Sequence, residues 1–510
     1  MRKFVVSLMT CLFLLGSLTL QAGADPEEQG DLTHDGQPPT QPPFVGPEAV
    51  NVAKVAGIPK EGTTNSDMAF WKDLAIAGNY NGFRIFDISR PASPRLLSDF
   101  PCYGPQNDVS VYQIRGRLYL WQSVDRALTS SACSADPNPT PLVTDTAGGG
   151  ATRARYGFEG IRMFDITDPT RPRHLASVPT ACGSHTHTLV PDKSSQKLYL
   201  YVSSYPLGSG ITPTIDRVAA NDRQCLLPHK KISIVDVPFS SPTNMTVREV
   251  PLSDDSAEAP GRGFQACHDI QAVLGEDLAI GSCGGDVQVW DIADRGNPTT
   301  ADESKHTHFH NPQWDFMHNA MATYDGKVFA FVDETGGGGG AECDGSASDD
   351  GFMYLYPAVR PGDPPSSEIG RYTIPRPQGT QICVTHNGQI IPVTDGRYLA
   401  SLAYYQGGTS IVDFTNPAAP QEVGYIDTPN ADAWSSYWYN GYVFHNGGLH
   451  RRTATGVSPC NDSAADPANR CSNPGFEVYA VTDVDGKQLK TRQWHHLNPQ
   501  TQEGFQGTGR

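Results

Sequence analysis

"GFRIFDISRPASPRLL", residues 82–97, alternates apolar and polar side chains as far as Asp87, breaks at a turn carrying Pro91 and Pro94, and resumes as a second run. A period of two marks a strand, and aspartate followed by serine and proline is turn chemistry. The same phrase returns as "GIRMFDITDPTRPRHL" from Gly160, "KISIVDVPFSSPTNMT" from Lys231, "DVQVWDIADRGNPTTA" from Asp286 and "GTSIVDFTNPAAPQEV" from Gly408. Recurrence of one short strand–turn–strand unit implies stacked repeats, none of which buries its apolar face alone. The aspartates that end these strands, Asp87, Asp165, Asp236, Asp291 and Asp413, are expected to hydrogen-bond within the turns.

Upstream of each copy sit two more strand-like runs, as in "HDIQAV" with "DLAIGS", or in "HNAMATYDGKVFAFVD", where Asp325-Gly326 signals a hairpin. Four strands are the content of a propeller blade. Counting innermost strands predicts an all-β chain, a seven-bladed β-propeller of four-stranded blades starting near Thr64, Asp108, His185, His268, His318, His386 and Ala433. "FMYLYPAV" from Phe352 and "FEVYAVTD" from Phe476 read as the third strands of the fifth and seventh blades. The run at 49–59, "AVNVAKVAGIP", resembles the outer strands and is expected to complete the last blade, making residues 49–510 one domain.

Ahead of it, residues 25–48 are rich in Pro, Gly and acids and read as a flexible lead-in. Residues 1–24 read as a signal peptide: Arg2 and Lys3, an apolar stretch from Phe4 to Leu20, then Ala22-Gly23-Ala24. Cleavage after Ala24 would deliver a secreted or periplasmic protein, and no later run is long and apolar enough for membrane insertion. The formal charge of −17 becomes more negative once Arg2 and Lys3 leave, which argues against nucleic acid and anionic lipid as partners.

The "IVDIxxPxxP" element resembles the LVIVD-repeat family of secreted β-propellers. That resemblance implies architecture and leaves the chemistry open, because propellers host unrelated functions.

Ten cysteines remain after the leader, an even number that in an exported chain points to disulfides. On the propeller scheme Cys102, Cys182, Cys267 and Cys383 fall just before inner strands, whereas Cys133, Cys225, Cys283, Cys343, Cys460 and Cys471 fall in second-to-third connections. All ten would lie on one face, beside the long insertions near 125–156, 204–229, 334–350 and 446–474. Neighbour pairing predicts Cys102–Cys133, Cys182–Cys225, Cys267–Cys283, Cys343–Cys383 and Cys460–Cys471.

His185, His268, His318 and His386 share one position, the start of the inner strand, where Asp108 stands in the second blade. Four of the 15 histidines at seven equivalent places would converge at the channel mouth. Imidazole suits copper, iron or zinc, and a site of histidines with one carboxylate leaves a coordination position open. His187, Asp108 and His310 are further candidate ligands, the last as part of the His306, His308, His310 alternation. Asp269, Asn319 and Asn387 are candidates to orient the rings. His445, His450, His495 and His496 read as surface residues, and Trp314, Trp434, Tyr437 and Trp438 as neighbours of the loop-rich face.

"SHTHTLVPD", "HNAMAT" and "QVWDIADRGNP" are also similar to elements of the selenium-binding protein or methanethiol oxidase family, propellers whose channel histidines bind copper. That resemblance implies copper-dependent oxidation on His185, His187, His268 and His318. The chain has no G-x-S-x-G elbow, phosphate-binding P-loop or H-E-x-x-H pair, and "GGGGGAEC" (336–343) lacks the Lys and helix of a phosphate cradle. Two readings follow. One is a transition-metal oxidoreductase or metal-assisted hydrolase acting on a small molecule. The other is a non-enzymatic propeller whose braced loops bind a ligand or an extracellular protein.

Overall fold

A computed structural model describes residues 46–503, apart from 61–62, 134–142, 147–151, 156–157, 206–216, 219–223, 226–228, 254–265, 303, 336–350, 379–382, 429–430 and 449–474. Of several residues in the 126–128 and 143–225 stretches only the backbone is described. The expected signal peptide, most of the lead-in and much of each long insertion thus lie outside the described residues.

Seven four-stranded antiparallel sheets are arranged as propeller blades, and among the described residues a single helical turn stands at Leu274–Glu276. Blade 1 runs from axis to rim as Asn65–Trp71, Leu74–Asn79, Gly82–Asp87 and Arg95–Pro101. The innermost strands of blades 2 to 7 are Gln106–Ile114, Thr186–Asp192, Asp269–Val273, Met317–Ala322, Gly388–Ile391 and Ala433–Tyr439. Each lies within a residue or two of its sequence-based start. Both faces of the inner three strands are covered by neighbouring blades, so their burial is nearly continuous. Tyr201 and Ile234 of blade 3, for instance, share a core with Ile270 and Trp290 of blade 4.

Four of the five repeated aspartates serve turns, and Asp236 instead pairs with Lys197 at 3.0 Å. The carboxylates of Asp87, Asp165, Asp291 and Asp413 accept the backbone N–H two residues on, from Ser89, Thr167, Ala293 and Thr415. This is the Asx geometry that lets the chain leave the third strand without orphaned amides. It explains why the "D-[IVF]" signature survives in blades whose other residues differ.

Ring closure combines both ends of the described chain. Val52–Ile58 pairs with Gly475–Val481 as the outermost strand of blade 7, as expected from the sequence. Ala49–Val50, however, adds to the rim of blade 6, pairing with Gln421–Ile426. Asn51 makes the step between blades: it adopts φ +53°, a left-handed conformation that asparagine tolerates, and its side-chain amide donates to the Val423 carbonyl at 2.7 Å.

The segment at 494–502 has no counterpart in the repeat reading. His496–Leu497 pairs antiparallel with the far end of the blade 1 inner strand, and Thr501–Gln502 runs parallel to the far end of the blade 4 inner strand. Between them the Asn498 amide donates to the Val111 carbonyl at 3.0 Å and accepts from the Val111 N–H at 2.8 Å in blade 2. Thr501 donates its hydroxyl to Leu189 in blade 3. Inner strands expose one hydrogen-bonding edge to the channel, and this segment satisfies four of them at the end away from the histidines. His496, expected at the surface, is therefore half-buried in the channel floor, stacked on Trp71 at 5.2 Å. Asn498→Ala should cost about 2–3 kcal/mol, since it leaves Val111 with an unpaired buried N–H and C=O. Urea unfolding of the variant beside the parent checks this, and an unchanged midpoint would contradict it.

A candidate metal centre at the channel mouth

His185 and His268 stand one residue before their inner strands and His386 two before its own, each with its backbone N–H bonded to the end of the second strand: to Ser203, Ser282 and Ala403 at 2.9, 2.7 and 2.8 Å. His318 sits at a register shift between Met317 and Asn319. Equivalent backbone positions in four consecutive blades bring the four rings into one row, with centroids 4.4 Å (His185–His268), 3.8 Å (His268–His318) and 4.3 Å (His318–His386) apart. All four are buried.

Glu334 completes the group. It follows the second strand of blade 5, Val328–Asp333, and is anchored by its N–H to the Phe316 carbonyl. One carboxylate oxygen lies 3.7 Å from His318 Nε2 and the other 3.6 Å from His386 Nε2. Ligand atoms of His268, His318 and Glu334 all fall within 4.8 Å of one another. A tetrahedral ion with bonds of about 2.0–2.1 Å spaces its donors about 3.3–3.4 Å apart, so these separations exceed hydrogen-bonding reach yet nearly match coordination. The sequence reading missed Glu334. Its signal was an acid at the exit of a second strand, which shares a face with the starts of the inner strands.

The hydrogen bonding of the rings fits a ligand role. His386 donates Nδ1–H to the Trp434 carbonyl, which fixes its tautomer and leaves the Nε2 lone pair toward Glu334. Both nitrogens of His318 and Nδ1 of His268 are buried without a hydrogen-bond partner. Burial, reinforced by the neighbouring imidazoles, holds the pKa of His268 and His318 well below the ordinary histidine value, so both present neutral rings. Orphaned buried nitrogens cost roughly 1–3 kcal/mol each, and a cation would convert that loss into coordination. The residues therefore fit a metal ion.

The remaining candidates divide by position. His185 is held by Gln106 at 3.0 Å and lies 3.5 Å from Asp125, at one end of the row. His187 turns into a network with the Ser110 and Ser123 hydroxyls and, at 3.1 Å, with Asp108, whose carboxylate also accepts the His187 N–H. Asp269 Oδ1 lies 3.7 Å from His268 Nδ1, where it can orient that ring. Asn319 bonds to Asn387, and Asn387 to Asp67, one layer down the channel. His310 is on the outermost strand of blade 4, His306–His310, because "HTHFHNP" ends a blade instead of opening the next. His445, expected at the surface, is buried in the second strand of blade 7. His450 lies outside the described residues.

Aromatic rings wall the row. Tyr205 packs 5.2 Å from His185, Phe316 5.4 Å from His268, Tyr405 4.6 Å and Trp434 4.9 Å from His386. Tyr405 also donates its hydroxyl to Glu334 and holds φ +44°, a conformation uncommon in tyrosine that is kept by paired backbone bonds to Ala433. Trp314, Trp438 and Tyr437 do not join this wall: the first two pack within blades, and Tyr437 bonds to Asp67 in the channel.

Disulfides brace the same face. Cys102–Cys133 and Cys267–Cys283 form as expected, and Cys182 and Cys383 are also disulfide-bonded. Cys343, Cys460 and Cys471 lie outside the described residues, and only the backbone of Cys225 is described. Cys267 precedes His268 directly, so its bond to Cys283 ties the ligand-bearing turn to the end of the second strand. Replacing both by serine should cost about 3 kcal/mol for a loop of this size, measured as a shift in urea midpoint; an unchanged midpoint would contradict the assignment.

Residues 72–100 and 400–428, which hold the third strands of blades 1 and 6, match the LVIVD repeat. The chain carries LVIVD repeats on a seven-bladed β-propeller. No curated protein matches the chain. Solved structures similar to it include a candidate 6-phosphogluconolactonase of Bacteroides fragilis, 11% identical over 84% of this chain and 96% of that one, with a TM-score of 0.44. Another is a candidate 6-phosphogluconolactonase of Bacteroides uniformis, 10% identical over 83% and 98%, with a TM-score of 0.46. At these values no activity is carried across.

Proposed function

We propose that this LVIVD-repeat propeller is a metal-dependent enzyme, an oxidoreductase or metal-assisted hydrolase, whose copper, iron or zinc ion is held by His268, His318 and Glu334. His386 flanks the carboxylate and His185 closes the row. The observation that carries the reading is the pairing of the unpartnered His318 imidazole and the orphaned Nδ1 of His268, both buried and neutral, with a buried carboxylate at near-coordination spacing. Three protein donors leave positions for water or substrate, and a bound ion there would supply Lewis-acid or redox chemistry. The chain's own residues do the rest. Tyr405 donates its hydroxyl to Glu334 and fixes that carboxylate, while Tyr205, Phe316 and Trp434 favour a small, largely apolar or aromatic substrate. With 494–502 across the far end, substrate approaches from the loop-rich face.

The test is metal content and turnover of the protein exported to an oxidising compartment. Stripped protein is reloaded with copper, iron and zinc separately, then screened against small ester, thiol and phenol panels. Near-stoichiometric binding with metal-dependent turnover is the expected result. Failure of every ion to bind the channel would leave the non-enzymatic binding propeller instead.

A further inference from the structure

Far from the channel, the outermost strand of blade 4 places His306, His308 and His310 on one side, because residues two apart in a strand share a face. The opposite side is locked into blade 5: Phe309 packs on Phe331 at 5.2 Å and Tyr356 at 5.4 Å, and Thr307 donates to Asp363 at 2.6 Å. His306 Nε2 and His308 Nε2 approach to 2.6 Å.

A chain of donors of fixed direction determines which nitrogen of His308 carries its proton. Trp290 is donor-only and gives Nε1–H to Gln288 Oε1 at 3.1 Å, so Gln288 turns its NH2 to Asp286 Oδ2 at 3.2 Å. The buried Asp286 carboxylate then accepts from His308 Nδ1–H at 2.7 Å. His308 Nε2 is left as a lone pair, aimed at His306. His310, exposed, is the cross-strand partner of Asp286 and so lies beside the same carboxylate.

We propose that His306 and His308 form a second transition-metal site for a zinc or copper(II) ion, with Asp286 orienting His308 and water completing the coordination. On binding, His306 Nε2 releases its proton to solvent and the two Nε2 atoms separate to about 3 Å around an ion about 2.0–2.1 Å from each. The Trp290–Gln288–Asp286–His308 relay is the carboxylate–histidine arrangement that orients metal-bound imidazoles. Nothing at this site depends on the channel histidines.

The experiment counts equivalents. Zinc(II) and, separately, copper(II) are titrated into the full chain and into His268→Ala/His318→Ala, His308→Ala and Asp286→Asn variants, with circular dichroism confirming that each is folded. The His308→Ala protein should lose one equivalent that the channel variant retains, and Asp286→Asn should weaken that equivalent by about 10–100-fold. Electron paramagnetic resonance of the copper bound to the channel variant should show histidine nitrogens. If His308→Ala misfolds, Asp286→Asn, which keeps the shape of the side chain, serves in its place: it should weaken the same equivalent. Stoichiometry unaffected by His308→Ala with affinity unaffected by Asp286→Asn, or no binding in the channel variant, would overturn the proposal without touching the channel reading.

Discussion

His318→Ala should remove the channel metal outright, with Glu334→Gln close behind and His185→Ala much weaker. The order follows from geometry. His318 offers two unpartnered nitrogens in the middle of the row and lies 3.7 Å from the Glu334 carboxylate, so no neighbour replaces it. Glu334 supplies the anionic donor between His318 and His386, and its amide isostere retains shape while losing charge. His185 is already engaged by Gln106 and sits one ring beyond His268. Removing an orienting partner of a metal-bound histidine costs about 10–100-fold in affinity, and removing a ligand costs more. Inductively coupled plasma mass spectrometry of the loaded proteins, with competition by a chelator for affinities, reads the series. Equal retention by wild type and His318→Ala would remove the basis of the enzymatic reading.

Asp67→Asn should flatten a fall in stability between about pH 4 and pH 7. Asp67 is enclosed in the channel one layer below the histidines, and burial, reinforced by the nearby Asp108, raises its pKa to about 7 against the bonds from Tyr437, Met68 and Gln500. A carboxyl whose folded pKa exceeds its unfolded value binds its proton more tightly when folded. Its contribution is therefore fully present below about pH 4 and is lost as pH rises through 7. A shift of this size corresponds to about 4 kcal/mol. Surface carboxylates behave oppositely: Asp192, lowered to about 2 by the Ser194 and Ser195 bonds against its partial burial, favours folding above that range. The informative quantity is thus the difference between variant and wild type at each pH, from urea unfolding between pH 4 and 8. A difference that does not change with pH would contradict the assignment. Asparagine cannot accept all the bonds that Asp67 receives, so a constant offset is expected beneath the slope.

Legibility in the sequence tracked the range of the interactions. Strand alternation, the Asx turn after four of the third strands and the inner-strand starts are local, and each of the seven blades begins where its own residues say. The alignment of His185, His268, His318 and His386 was legible for the same reason, since duplication preserves position within the unit. Cys102–Cys133 and Cys267–Cys283 were legible because each links neighbouring connections on one face. Glu334 and Tyr405 were not, because each lies in a different loop context and becomes a neighbour of the histidines only when blades 5 and 6 pack side by side. His310 went astray at the boundary between blades, where an alternating strand can close one sheet or open the next.

The sequence by itself determined the repeat, its four-stranded unit, the number of units and the histidine that recurs in them, all written within some forty residues at a time. Tertiary structure alone decided which side chains meet on the axis. It chose Glu334 as the carboxylate, turned His187 toward Asp108, set His306 against His308 at the rim, and laid 494–502 across the channel floor. Closing a ring creates an interior edge on every inner strand, and the groups that satisfy it come from wherever the chain passes, at sequence separations no local pattern can encode.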